Sequence, residues 1–419
     1  MPATPDAPTR RALLVGSGAL FAWAQFPRLA RAEGRDPRFL GIVLRGALDG
    51  LAVAAPVGDP QWRDLRGEDA LTLDGAAPGL RLDNMFALNP AMPSLHEFYR
   101  HGHATIVHAA ATPYRDRSHF DGQDVLQTGA TTPGALDDGW LNRAVASLAP
   151  EGSGSADPHA KEALAIGPVT PLIMRGPAPV LSWGVRQLPP VSDETTLRLL
   201  DLYRHTDPVL ARVLEERMGI AAIAQAGGID QGAPNGGPVI QAGGIAQVRA
   251  YFAEAAGTAA KFLARADGPR VGALAFDGWD THVNEGPVRG RLTALLAALD
   301  DAMAAIAANM GDAWRETVVV AITEFGRTAH INGNGGTDHG TATVALLAGG
   351  ALKGGHVIAD WPGLGDSDLY QSRDLRPTTD LRSIMKGLLR DHLRIAETAL
   401  ATTVFPDSAA APSTPDLVI

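Results

Sequence analysis

The order of hydrophobic and polar positions sets out the architecture of the chain. Five short apolar runs stand out: Arg38–Leu44, Ala104–Ala111, Pro269–Phe276, Thr317–Ile322 and Thr341–Leu347. Each is rich in β-branched or small apolar residues and is too short for a core helix, so each reads as a strand buried on both faces. Between them lie segments with helical spacing: Ser94–His101, Gly122–Gly129, Ile245–Ala266, Arg289–Met310 and Leu381–Leu389, the last capped by Thr378-Thr379-Asp380. Val191–Arg204 and Asp207–Gln225 read as two more helices, so the middle of the chain is a helical insertion. Strands alternating with helices predict an α/β fold: a largely parallel central sheet with helices on both faces.

In such sheets, sites form where strands end. The run Thr317–Ile322 stops at Glu324, with Gly326 and Arg327 next. A loop of Asn332, Gly333, Asn334, Gly335 and Gly336 then leads to Asp338-His339-Gly340. Asp49 lies just past the first strand, beside Gly50; alone, it reads as a turn aspartate. Asp280-Thr281-His282 follows the Pro269–Phe276 strand, offering a carboxylate oxygen and an imidazole nitrogen that divalent metals accept. After Ala104–Ala111 come Arg115, Arg117 and Ser118. Ser118 or Asp121 can cap the next helix, or the hydroxyl between two arginines can hold an anion at the helix start. His119 on its own reads as a structural, hydrogen-bonding histidine. Together these residues predict a site for one or two divalent cations, of the kind that clamps oxygens in ester hydrolysis.

Composition narrows the classes. The 419 residues are 45% hydrophobic and 20% charged, enough for a sizeable core. A net charge of −10 argues against nucleic acid as a partner. Cysteine is absent, which removes thiol nucleophiles, thiolate metal sites and disulfides. The glycine-rich Gly227–Gly244 follows no strand and lacks a Lys-Ser/Thr ending, so it is not a nucleotide phosphate loop. At the N-terminus, Arg10-Arg11, a weak apolar stretch to about Phe26 and Ala30-Arg31-Ala32 read as a twin-arginine signal peptide. The expected division is a signal peptide over 1–32, a single α/β domain over 33–405 and a flexible tail over 406–419. The mature protein is expected in the periplasm or outside the cell, exported by the twin-arginine machinery, with no stable membrane span after cleavage.

The twin-arginine leader, LRGALDGL, RSHFDGQD, GWDTHVNE and ITEFGRTAHINGNGGTDHG resemble a large family of exported bacterial proteins of undefined function. That family is grouped with the alkaline phosphatase/sulfatase superfamily, and the resemblance covers nearly the whole mature chain. It implies an alkaline-phosphatase-like fold. It also implies metal ligation by Asp49, Asp280, His282, Glu324 and His339, assisted by Asp338, with Ser118 in the region of the nucleophile. Phe325 departs from the superfamily's Asp-His pair at that strand end and cannot ligate. The expectation is a periplasmic hydrolase of small anionic phosphate or sulfate esters, using zinc, manganese or calcium. Arg115, Arg117 or Arg327 would bind the ester oxygens. The alternative is an exported metal- or anion-binding protein that acts with a partner and without turnover.

Overall fold

The structure, a computed structural model, describes residues 35–148, 163–184 and 244–419, less positions 76, 168 and 287, with short pieces between 199 and 215. The stretch expected to be a signal peptide, most of the expected helices between 191 and 225, and the glycine-rich loop up to 243 lie outside the described residues.

Among the described residues nine strands build one sheet: β1 (Arg38–Arg45), β2 (Ala104–Ala111), β3 (Ala163–Ile166), β4 (Leu181–Trp183), β5 (Val271–Asp277), β6 (Thr317–Thr323), β7 (Thr343–Ala348), β8 (His356–Ile358) and β9 (Thr379–Asp380). The spatial order is β8-β2-β7-β6-β1-β5-β3-β4, with β9 pairing beside β8 on β2. All pairings are parallel except those of β7, which runs antiparallel to both β2 and β6. All five apolar runs are strands of this sheet. The four strands not expected from the sequence have two to four residues each and carry no readable pattern.

The long central strands are nearly all apolar because both faces are covered. On β1, Leu40, Ile42 and Leu44 face a core shared with the helices α4 (Ile245–Ala264) and α5 (Arg291–Met310), through Phe252, Phe262, Leu295, Leu299 and Met303. Phe39 and Val43 face the opposite core with α3 (Trp140–Leu148) and α6 (Leu381–Leu393), through Trp140, Leu141, Ile384 and Leu388. Helix α6 starts where Asp380 accepts a hydrogen bond from the Arg382 amide, 2.8 Å away. Helix α1 (Pro93–Arg100) has no capping side chain of its own, and the buried Asp300 of α5 accepts from the Ser94 and Leu95 amides instead. By length and composition α5 could cross a membrane, but half of its most apolar window is buried in this core.

Pro37–Ile419 forms one compact unit, and residues 406–419 belong to it rather than trailing as a flexible tail. The buried Lys386 ammonium donates to the Ser408 and Ala411 carbonyls at 2.8 Å each, Leu417 is buried, and Leu352 bridges to Val418. A cation taken from water needs such acceptors, and the returning chain supplies them. Gly387 lets this segment lie close, since a Cβ there would stand 2.1 Å from the Thr414 carbonyl. Gly387→Ala is therefore expected to lower stability by about 1–3 kcal/mol through overpacking. Urea denaturation checks this, and an unchanged midpoint would show that the segment moves aside at no cost.

Candidate metal centre

Asp280, His282, Glu324, Asp338 and His339, all singled out in the sequence, gather with His119 at the C-terminal mouth of the sheet. The loop after β2 leads into α2 (His119–Thr128), whose first residue is His119. The segment after β5 brings Asp280 and His282, the end of β6 brings Glu324, and the loop before β7 brings Asp338 and His339.

Three imidazoles and one carboxylate converge. The His119 and His339 Nε2 atoms are 2.9 Å apart, and the His282 Nε2 atom is 3.0 Å from that of His339. Asp280 places Oδ1 3.2 Å from His339 Nε2 and 3.0 Å from His282 Nε2, and Oδ2 3.5 Å from His119 Nε2. The group whose ligand atoms all lie within 4.8 Å of one another is His119, Asp280 and His339; His282 flanks it. Four ligands at about 2.0–2.1 Å from a tetrahedral ion stand roughly 3.3 Å apart, close to these separations.

The hydrogen bonds behind the rings decide which nitrogens face inward. His339 Nδ1 donates to the Arg117 carbonyl at 3.0 Å, and a carbonyl can only accept. His119 Nδ1 lies 2.8 Å from Glu324 Oε1, and His282 Nδ1 lies 3.3 Å from Asp338 Oδ1. All three rings thus carry their proton on Nδ1 when neutral, and all three Nε2 lone pairs point to one place. Nitrogens 3 Å apart need a shared proton or a cation between them, and a metal ion would take the place of that proton. Outer acceptors that fix the tautomer are the usual backing of metal-bound imidazoles.

Charge reinforces this. Without an ion, burial opposes ionisation of Asp280, but Arg327 and protons carried on the His119 and His339 Nε2 atoms hold its carboxyl far below the usual carboxylate range. Hydrogen bonds to Asp280 and then Glu324 push the His119 imidazole up to about 9. Its folded pKa is above the ordinary value near 6.5, so this stabilisation is complete below that pH and is lost as pH rises through about 9. In chelator-treated protein, the melting temperature is expected to fall between pH 6.5 and 9.5, and His119→Gln to flatten that fall. Parallel curves for the two proteins would rule out this coupling.

Glu324 and Asp338 stand one step behind the rings. Glu324 is fully buried, and Oε1 accepts from His119, from the Gly46 amide at 2.9 Å and from Gln123 at 3.1 Å. Gly46 has φ +120°, and a Cβ there would meet the Asp280 amide at 2.6 Å, so only glycine brings this turn under the site. Phe325 packs against the His119 and His339 rings, with centroids 5.1 and 5.4 Å away.

Asp49 does not reach the centre. It is buried in an ion pair with Arg66, 2.6 Å from Nη1, and also accepts from the Leu51 amide. The expected arginines are committed as well. Arg327 donates to Asp280 at 2.6 Å and to Thr337, Arg117 to Asp374 and Gln371, and Arg115 to the Thr112 and Tyr114 carbonyls. The Ser118 amide donates to the Tyr114 hydroxyl at 3.1 Å. The residue that sequence reasoning missed is His119. Its one signal was position: the first residue of a helix that follows a strand end.

The family described as "Protein of unknown function (DUF1501)" matches residues 81–404, a span that holds His119, Asp280, His282 and His339. The chain belongs to that family. Asp49 precedes the part of this DUF1501 chain that the match covers. No curated protein matches the chain. Among solved structures it is similar to a sulfatase from Pseudoalteromonas sp., at 12% identity and a TM-score of 0.35, over 81% of this chain and 68% of that one. It is similar to an alkaline phosphatase with magnesium bound, at 12% identity and a TM-score of 0.35, over 75% and 91%. A third is a phosphonate monoester hydrolase of Agrobacterium radiobacter, at 14% identity and a TM-score of 0.33, over 86% and 74%.

Proposed function

We propose that this chain is an exported, metal-dependent hydrolase of phosphate or sulfate esters with one ion at the His119–Asp280–His339 group. The observation that carries the reading is the convergence of Nε2 lone pairs, each fixed by an acceptor behind its ring, on the Asp280 carboxylate. Two imidazoles and a carboxylate with room for a further ligand are a donor set that suits zinc or manganese. Calcium takes oxygen ligands, so these nitrogens speak against it. The Asp280 and His282 side chains are 41% and 40% exposed, which leaves one face open to substrate. A divalent cation held there supplies Lewis acidity and lowers the pKa of coordinated water. His282, the most exposed of the three rings, would take the proton at Nε2, with Asp338 holding its Nδ1–H.

Commitment of Arg115, Arg117 and Arg327 to internal partners favours the second reading, an exported metal-binding protein without ester turnover. Metal analysis of protein purified without chelator, followed by a panel of aryl phosphates and sulfates, separates the two. Stoichiometric metal with turnover supports the hydrolase. Metal without turnover supports the binding protein, and no metal sinks both.

A further inference from the structure

Glu285 is a fully buried carboxylate whose two oxygens bond to neutral hydroxyls: Oε1 accepts from Thr281 Oγ1 at 2.7 Å and Oε2 from Thr337 Oγ1 at 2.8 Å. Burying a carboxylate is costly, so its place here calls for a reason. Those two threonines occupy special positions. Thr281 stands between Asp280 and His282, and Thr337 immediately precedes Asp338-His339. The same two loops are joined by the Glu285 amide to the Gly335 carbonyl at 2.9 Å, and by the Asn332 amide group to the His282 carbonyl at 3.0 Å and to Asp338 at 3.1 Å.

The direction of the bonds matters as much as the contacts. Arg327 can only donate, so the Thr337 hydroxyl oxygen accepts from its Nε–H, 3.0 Å away, and the hydroxyl gives its own hydrogen to Glu285. With Nε and Nη2 both anchored on Thr337, the planar guanidinium can aim only Nη1 at Asp280 Oδ1, where it lies at 2.6 Å. We infer that Glu285 is a positioning residue: through Thr281 and Thr337 it sets the spacing of the two ligand loops, and through the Thr337–Arg327 relay it orients Asp280 for the ion. This rests on the metal reading above and extends it beyond the ligands.

The test is cobalt(II) titration of the full, chelator-stripped chain, in wild type, Glu285→Gln and Thr337→Val, with melting temperature and far-ultraviolet circular dichroism recorded alongside. Glu285→Gln keeps the shape but leaves one acceptor for two threonine hydroxyls, and Thr337→Val removes the relay without changing shape. Both variants are expected to stay folded, to bind cobalt about 10–100-fold more weakly, and to show a changed visible absorption band. Wild-type affinity and band in both variants would overturn the inference, even with lowered melting temperatures, because Glu285 would then be structural only. Wild-type protein that takes up no cobalt would overturn the metal reading itself, which is a distinguishable result.

Discussion

The Asp280→Ala/His282→Ala double variant is expected to purify free of metal and to lose all ester hydrolysis that the wild type shows. Asp280 is the only carboxylate of the three-residue ligand group, and His282 reaches both Asp280 and His339. Removing both leaves two imidazoles 2.9 Å apart, with no carboxylate among the ligands to balance an ion's charge. Side-chain burial at the pair is partial, but Asp280→Ala also takes the carboxylate from the buried Arg327, so circular dichroism on the same samples checks that the fold is kept. The contrast is sharpest in melting curves. An ion at a hundred times its Kd stabilises the wild type by about 2.7 kcal/mol, and the double variant should show no response to added ion. An equal ion-dependent rise in both proteins would place the metal elsewhere.

Arg66→Met is expected to be the most destabilising single change, by about 3–5 kcal/mol, because it strands a buried charge. Asp49 would lose both guanidinium contacts, at 2.6 and 3.1 Å, and the carbonyls of Thr328 and Ala329 would lose their donor. Packing over the Trp62 ring would go as well. Asp49→Asn, which keeps the shape, should lower stability but leave metal content at the wild-type level. Loss of metal with an unchanged denaturation midpoint in Asp49→Asn would instead return Asp49 to the ligand set. Stability is read by chemical denaturation and metal by elemental analysis of the same samples.

The difference between Asp49 and His119 shows what a sequence can carry. Strands β1, β2, β5, β6 and β7 were legible because burial on both faces leaves unbroken apolar runs, whose ends point to Asp280, His282, Glu324 and His339. The antiparallel direction of β7 leaves no such mark, since a strand buried on both faces looks the same either way. Asp49 also lies past a strand end, and nothing nearby announces that Arg66 will take it, because that arginine comes from a stretch with no readable periodicity. His119 sits beyond a proline- and arginine-rich loop, and its partners Glu324 and His339 are more than two hundred positions away. Distant pairing decides which acids become ligands and which become ion-pair partners, and single-residue context does not encode it.

The chain has no cysteine, so no disulfide cross-links its folded form. The ligand set offers a substitute, because it draws together residues that are 220 positions apart at His119 and His339. Closing a loop of that length removes much of the freedom of an opened chain, and the restriction grows only slowly with further length. A bound ion would therefore work as a reversible staple between the α2 end of the sheet and the hairpin leading into β7. Resistance to proteases, and not only turnover, should then rise and fall with metal supply.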